Sequence, residues 1–283
     1  MRYCITFSYD GAPFSGYQVQ TSAPSVQEAL QKSLSTLLRE DIQVTGAGRT
    51  DSKVNAVRYV AHFDFEGDGL TESFVYKINA ILPREITVHE VMCVSGDFHA
   101  RFSARCRTYK YFLHRGKDPF AARFSYRCPY TLDVEKMNRA AAMIVGKGDF
   151  SCFEKTGGNN ATSICTVYEA HWDRYTPTHV GELDFPCTEG DYLVFTISAD
   201  RFLRNMVRSV VGTLMDIGRG RHDESWISEV LSSHDRSHAG ESVPGHALFL
   251  CGIRYPEELY DPLYRMGQSD APLQSEEPPA EEP

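Results

Sequence analysis

Residues 2–38, RYCITFSYDGAPFSGYQVQTSAPSVQEALQKSLSTLL, switch from one hydrophobic period to another, and that switch decides the fold class. Tyr3, Ile5, Phe7 and Tyr9 alternate, as in a half-buried strand, and Asp10-Gly11 stops the run. Ser25-Val26-Gln27-Glu28 has the form of a capping box. Behind it Val26, Ala29, Leu30, Leu34, Leu37 and Leu38 keep helical spacing, which predicts a helix over 25–39.

The same grammar continues outward. Ile42–Thr45 reads as a short strand, and Val57, Tyr59, Ala61, Phe63 and Phe65 alternate as a longer one. Thr71 is placed to cap a helix ending near Ile81, and Ile86–Val94 is a further strand. In the second half Tyr109, Tyr111 and Leu113 alternate. Asp133 caps a helix carrying Val134, Met137, Ala141, Ile144 and Val145, ended by Gly146. Strands follow at 164–172 and 191–199. Leu203, Met206, Val207, Val210, Val211 and Leu214 then form an apolar helical stripe closed by Gly218. Asp223 opens a short helix and Leu248–Tyr255 is the last strand. Two α+β halves with mainly antiparallel sheets are expected, each covered by helices on one face, alike in element order but not in sequence. The expected boundaries are 1–104, 105–262 and a disordered, acidic, Pro- and Gln-rich tail over 263–283. Thr156–Asn160 (TGGNN) is a candidate mobile loop.

Composition bounds the function. At 42% hydrophobic residues over 283 positions the chain can bury a sizeable core, and no apolar run reaches the roughly 18 residues of a membrane span. The start has no long apolar stretch of the secretory type. Eight cysteines occur without a CxxC pair or zinc spacing, so they are expected as reduced thiols in a cytoplasmic protein without a metal. The net charge of −9 argues against a nucleic-acid partner until its placement is considered. From Pro256 to Pro283 eight acids face one base, so the rest of the chain stands near −2 and has room for a local basic patch.

Three segments carry candidate chemistry. Gly46-Ala-Gly-Arg-Thr-Asp51 lies between two expected strands and sets a carboxylate, Asp51, beside a permanent cation, Arg49. A neighbouring cation favours the charged carboxylate, a possible nucleophile. An ordinary hairpin turn is the competing reading, and the segment is no phosphate loop, having neither GK[ST] nor a following helix. Phe98-His-Ala-Arg-Phe-Ser-Ala-Arg-Cys-Arg-Thr-Tyr-Lys-Tyr111 opens a stretch, Arg101 to Lys117, with six bases and no acid: Arg101, Arg105, Arg107, Lys110, Arg115 and Lys117. Phe102, Tyr109, Tyr111 and Phe112 interleave with them, as in a site for single-stranded or looped RNA. Asp200-Arg-Phe-Leu-Arg-Asn-Met-Val-Arg-Ser-Val-Val-Gly212 places Arg201, Arg204 and Arg208 near one face beside the apolar stripe. A solvated basic face would look the same.

In this order the segments resemble the TruA family of tRNA pseudouridine synthases over roughly residues 1–255. YDGAPFSGYQVQ resembles the family's opening strand and loop, and GAGRTD its signature. The resemblance puts the catalytic aspartate on Asp51, the active-site tyrosine on Tyr109, the arginine that pairs with the aspartate on Arg208, and the base-lining leucine of SVPGHALFL on Leu248. It gives Arg49 a part in pushing the nucleotide out of its stem. Arg101, Arg105, Arg107, Lys110, Arg201 and Arg204 are then expected to contact RNA. Two departures stand out. Ser52-Lys53-Val54-Asn55-Ala56 replaces the common Ala-Gly-Val-His-Ala, and Ala247 stands where a glycine usually precedes the leucine.

The resemblance implies two ferredoxin-like or RRM-like halves joined around a central cleft, a homodimer, and a tRNA substrate modified at uridines 38–40 of the anticodon stem-loop. It implies no cofactor, since the reaction neither adds nor removes electrons or groups. Two other readings share these residues: a synthase acting on another tRNA or rRNA site, and an RNA-binding module without catalysis.

Overall fold

The expected strands join edge to edge. In the computed structural model, which describes residues 1–266 except 68, 69, 72, 156, 158–160 and 189, the elements run β1 (Arg2–Tyr9), α1 (Val26–Leu38), β2 (Thr45–Gly46), β3 (Asn55–Asp64), α2 (Phe74–Ile81), β4 (Ile86–Val94), β5 (Cys106–His114), β6 (Tyr126–Arg127), α3 (Val134–Ala142), β7 (Gly146–Asp149), β8 (Ile164–Arg174), α4 (Thr178–Gly181), β9 (Tyr192–Ala199), α5 (Met206–Gly218), α6 (Trp226–Ser233), β10 (Leu248–Arg254) and β11 (Tyr260–Met266). All eleven strands belong to one mostly antiparallel sheet, ordered β11-β4-β1-β3-β10-β5-β9-β8-β7, with β2 on β3 and β6 on β5.

Within the sheet, β10 pairs in parallel with β3, and this ladder has two residue pairs, Phe249 opposite Asn55 and Leu250 opposite Ala56. Beyond that the strands part. Further along β3, Thr45 and Gly46 of β2 pair with His62 and Ala61. β2 therefore takes up the β3 edge beyond β10, and the chain leaves it toward Asp51.

Each half has its own core. Tyr3, Ile5, Phe7 and Tyr9 of β1 pack with Val26, Leu30 and Leu34 of α1 and Phe74 and Ile78 of α2. The second core gathers Tyr111 and Leu113, α3, Trp172, Phe195 and the apolar stripe of α5. The division is not clean, since Val54 packs into the second core and Leu250 into the first. A third cluster, Cys4, Val60, Val94, Phe98, Ala100 and Tyr255, covers the other face of the first half.

Local chemistry explains most of the boundaries. Ser25 caps α1 by accepting from Glu28 N at 3.3 Å, and Asp133 caps α3 by accepting from Lys136 N at 2.9 Å. Several expectations need correction. Ile42 and Val44 are buried with strand-like alternation, but no strand forms there. Ser35 of α1 accepts from Ile42 N at 2.9 Å, Gln31 accepts from Val44 N at 3.2 Å, and Gln27 donates to the Val44 carbonyl at 2.8 Å. Helix α2 begins at Phe74 after Ser73, two residues past the expected Thr71 cap. Helix α3 ends at Ala142; Ile144 N and Val145 N bond three residues back, a tightened last turn before Gly146 at φ +118°. β11 pairs with β4 and carries the chain through Met266, past the expected start of the tail at 263. The rest of the tail, and most of 156–160, lie outside the described residues.

No helix among the described residues is long and apolar enough to cross a membrane. Their cysteines are free: Cys4, Cys106, Cys128, Cys152 and Cys165 are buried, Cys93 and Cys251 half-buried, and Cys187 exposed.

Candidate active site

The loop from Gly46 to Asp51 is held by tyrosines. A Cβ on Gly46 would stand 2.4 Å from the Tyr17 ring and from the Tyr59 hydroxyl, so only glycine lets β2 lie this close. Tyr17 stacks on Tyr59 with centroids 4.4 Å apart. The Tyr59 hydroxyl donates to the Gly48 carbonyl and accepts from Gly48 N at 3.3 Å. The Tyr9 hydroxyl lies 2.8 Å from Thr50 Oγ1, and Tyr17 N donates to the Thr50 carbonyl at 3.3 Å. Burial pushes the Tyr9, Tyr17 and Tyr59 hydroxyls well above their ordinary value of 10.0 and keeps them protonated. The YDGAPFSGYQVQ segment is thus the floor of the aspartate loop.

Arg208 approaches from the first turn of α5. Its Nη1 donates to Asp51 Oδ2 at 2.9 Å, with side-chain exposures of 22% for Arg208 and 30% for Asp51, so the pair is half-buried yet reachable. Its Nε donates to the Val243 carbonyl at 2.7 Å, and its own carbonyl accepts from Val243 N at 3.2 Å. The guanidinium is therefore aimed by the SVPGHALFL segment. That segment lies close because residue 212 is glycine; a Cβ there would sit 1.8 Å from the Glu241 carbonyl oxygen.

Tyr109, on β5, packs against both cores and edge-on to Phe202 at 5.0 Å. Burial pushes its hydroxyl up to about 12, and Arg107 opposes this while Asp51 reinforces it. Leu248 is buried at the start of β10 opposite Tyr111, whose hydroxyl donates to the Pro244 carbonyl at 3.0 Å.

Asn55, part of the stretch that departs from the family pattern, is a structural tie. It is buried, accepts from Gly11 N at 2.9 Å and donates to the His246 carbonyl at 2.7 Å, joining the opening and closing segments below Asp51. The family's histidine position is therefore internal here. Lys53, where the family commonly has glycine, takes φ +64°, a left-handed conformation that strains a side-chain-bearing residue. Only Ser52 and Lys53 of the altered stretch are exposed.

The expected RNA-contacting bases do not share one surface. Arg49, Arg101 and Arg105 are exposed, and Arg101 lies over the ring of Phe102, itself 74% exposed. Lys110 follows Tyr109 on a strand and so faces the opposite side of the sheet, beside Cys251. Arg107 shares the Tyr109 face, but its guanidinium is engaged with backbone carbonyls. Arg201 and Arg204 precede α5 rather than forming a helical face with Arg208. Asp200 Oδ1 accepts from Thr166 N at 2.8 Å and from Arg201 N at 2.7 Å, and Asn205 turns left-handed before the helix starts. Arg204 is exposed and its carbonyl accepts from Lys155 N at 3.0 Å.

The structure thus pairs a half-buried carboxylate, Asp51, with an arginine, Arg208, and sets Tyr109 within their electrostatic reach. Comparison with known proteins gives the family. The tRNA pseudouridine synthase family profile matches residues 140–256. The chain is 43% identical to tRNA pseudouridine synthase A of Bacteroides fragilis over 262 residues, covering 92% of this chain and 98% of the relative. It is 44% identical to that of Bacteroides thetaiotaomicron over 259 residues, 92% of each. It is 38% identical to that of Bacillus licheniformis over 259 residues, 90% and 99%. The chain belongs to the tRNA pseudouridine synthase A family.

Proposed function

We propose that this chain isomerises uridine to pseudouridine in tRNA, at positions 38–40 of the anticodon stem-loop, as a cytoplasmic homodimer. The observation that carries the reading is the 2.9 Å Asp51–Arg208 ion pair beside Tyr109, on the three segments that resemble the family's motifs. The two halves correspond to ferredoxin-like units joined at β3 and β10.

Asp51 acts as the nucleophile toward the flipped nucleotide. The N1–C1′ bond breaks, the uracil turns, C5 bonds to C1′ and loses its proton, and N1 takes up a proton. Reactant and product have the same atoms and oxidation level, so the chain's own side chains suffice. Arg208 holds the carboxylate in place through its Nη1 bond to Oδ2. Tyr109 offers a ring face to the uracil and, with its hydroxyl pushed up to about 12, a proton donor rather than a base at neutral pH. Leu248 borders the base. Extrusion of a base from its stack costs a few kcal/mol, which the exposed cations Arg49, Arg101 and Arg105 offset through phosphate contacts.

The buried position of Asn55 supports the anticodon target, because the histidine-to-asparagine change stays internal, while Ser52 and Lys53 are the exposed part of the altered stretch. The test is pseudouridine mapping on tRNA transcripts with uridine at 38, 39 or 40 replaced one at a time. Loss of product at only the replaced position supports the reading. Unchanged product in a transcript lacking all three, or product only in rRNA, contradicts it.

A further inference from the structure

Arg107 sits where three segments of the site converge. Its Nη1 donates to the Asp200 carbonyl at 2.7 Å, and its Nη2 donates to the carbonyls of Ala47 at 3.1 Å and Arg101 at 2.8 Å. Ala47 belongs to the loop that ends in Asp51. Arg101 belongs to the exposed loop with Phe102. Asp200 opens the segment that leads to Arg208 and is fixed in turn by its own side-chain bonds to Thr166 N and Arg201 N. Arg107 itself is two residues from Tyr109 on the same face of β5.

We propose that Arg107 is a positioning residue that holds the Asp51 loop, the Arg101–Phe102 loop and the Arg208 segment in register, and not a phosphate ligand. The proposal rests on the reading under Proposed function. The physical case is a matter of donors. A guanidinium has five N–H groups in a fixed planar fork, and three are directed at carbonyls from three different segments. Three carbonyl dipoles pointing at one place repel one another unless a cation lies between them. A lysine carries the charge, but its compact ammonium lacks the fork that fixes three separate acceptors. A phosphate would have to compete with these carbonyls for the same donors. Displacement of reacting groups by about 1 Å can cost on the order of 100-fold in rate, so loss of the fork falls on the chemical step.

The experiment is single-turnover pseudouridine formation with enzyme in excess over tRNA, comparing wild type with Arg107→Lys and Arg107→Gln. For Arg107→Lys the expected result is a rate constant reduced about 10- to 100-fold at saturating enzyme. Full amplitude, half-saturation within about two-fold of wild type and an unchanged salt slope of binding are expected with it. Weakened binding with a preserved rate constant and a salt slope smaller by about one would make Arg107 a phosphate ligand and overturn the proposal. A wild-type rate constant also overturns it, whether amplitude is full or reduced, since reduced amplitude alone means fewer folded molecules. Arg107→Gln keeps a planar amide and decides the matter by the same criteria if the lysine variant does not fold. If wild type converts no uridine in any tRNA, the proposed function fails instead. Hydrogen exchange at residues 47–51 and 200–204 then judges the strap alone: faster exchange in either variant supports it and unchanged exchange contradicts it.

Discussion

Residues 46–56 and residues 101–117 both announce themselves in the sequence, yet they are built in opposite ways. The first is fastened almost residue by residue: tyrosines hold Gly48 and Thr50, Arg208 holds Asp51, and Asn55 ties the opening and closing segments together. The second is a loop and a strand whose bases are divided by alternation. Arg107 faces the site and is taken up by carbonyls, Lys110 faces away, and Arg101 projects from the loop. Motif spacing marks where chemistry lies, but the strand's period decides which side chains reach it.

The largest break in this comparison comes from the fastened region. Arg208→Gln keeps a polar group but removes the charge opposing Asp51. The single-turnover rate is expected to fall roughly 10²- to 10³-fold, in the range for losing a preorganised electrostatic partner, with tRNA affinity nearly unchanged. A larger loss of affinity than of rate would place Arg208 in RNA binding.

The divided region is tested by a pair. Arg101→Ala should weaken tRNA binding about 3- to 10-fold and reduce the salt slope by about one, as for a lost phosphate contact. Lys110→Ala, on the other face of the sheet, should leave both unchanged. Equal effects at the two positions would mean that RNA wraps the sheet edge and that strand alternation does not sort these bases.

These outcomes bear on what the sequence discloses. The helix caps at Ser25 and Asp133 and the span Ile86–Val94 are legible because they depend on local chemistry. So are the motif residues Asp51, Tyr109 and Arg208, which the resemblance supplied and which the structure brings together. Ile42–Thr45 misleads because side chains of α1, not a neighbouring strand, take up its backbone groups. β7, Gly146–Asp149, has two glycines in four residues and no apolar alternation to betray it. The single sheet rests on two parallel residue pairs, a contact no local pattern encodes. Arg107 counts as one more base in the sequence because its acceptors are backbone carbonyls, two of them distant along the chain.

Smaller effects sharpen the account of the fastened loop. Tyr59→Phe removes the hydroxyl bound to Gly48 and should cost about 1 kcal/mol in denaturant unfolding at neutral pH. Tyr9, Tyr17 and Tyr59 have hydroxyls raised above 10.0 by burial. The stability they carry is complete below pH 10 and is lost as pH climbs toward the folded-state values, because the unfolded chain releases those protons first. The wild type should therefore weaken steadily above pH 10, and Tyr59→Phe should show a shallower decline. An equally steep decline would remove Tyr59 from the buried set. Lys53→Gly relieves the left-handed backbone at φ +64° and should raise stability by about 0.5–1 kcal/mol with no change in rate. A loss of stability would show that the lysine side chain contributes more than its backbone strain costs.

The central claim, that Asp51 performs the chemistry, is most directly tested by tritium release from tRNA carrying [5-³H]uridine. Wild type should release tritium as C5 loses its hydrogen, while Asp51→Ala should release none above background and still bind tRNA within about two-fold of wild type, since the phosphate contacts that dominate affinity lie elsewhere. Appreciable release by Asp51→Ala would contradict the account and move the nucleophile to another residue.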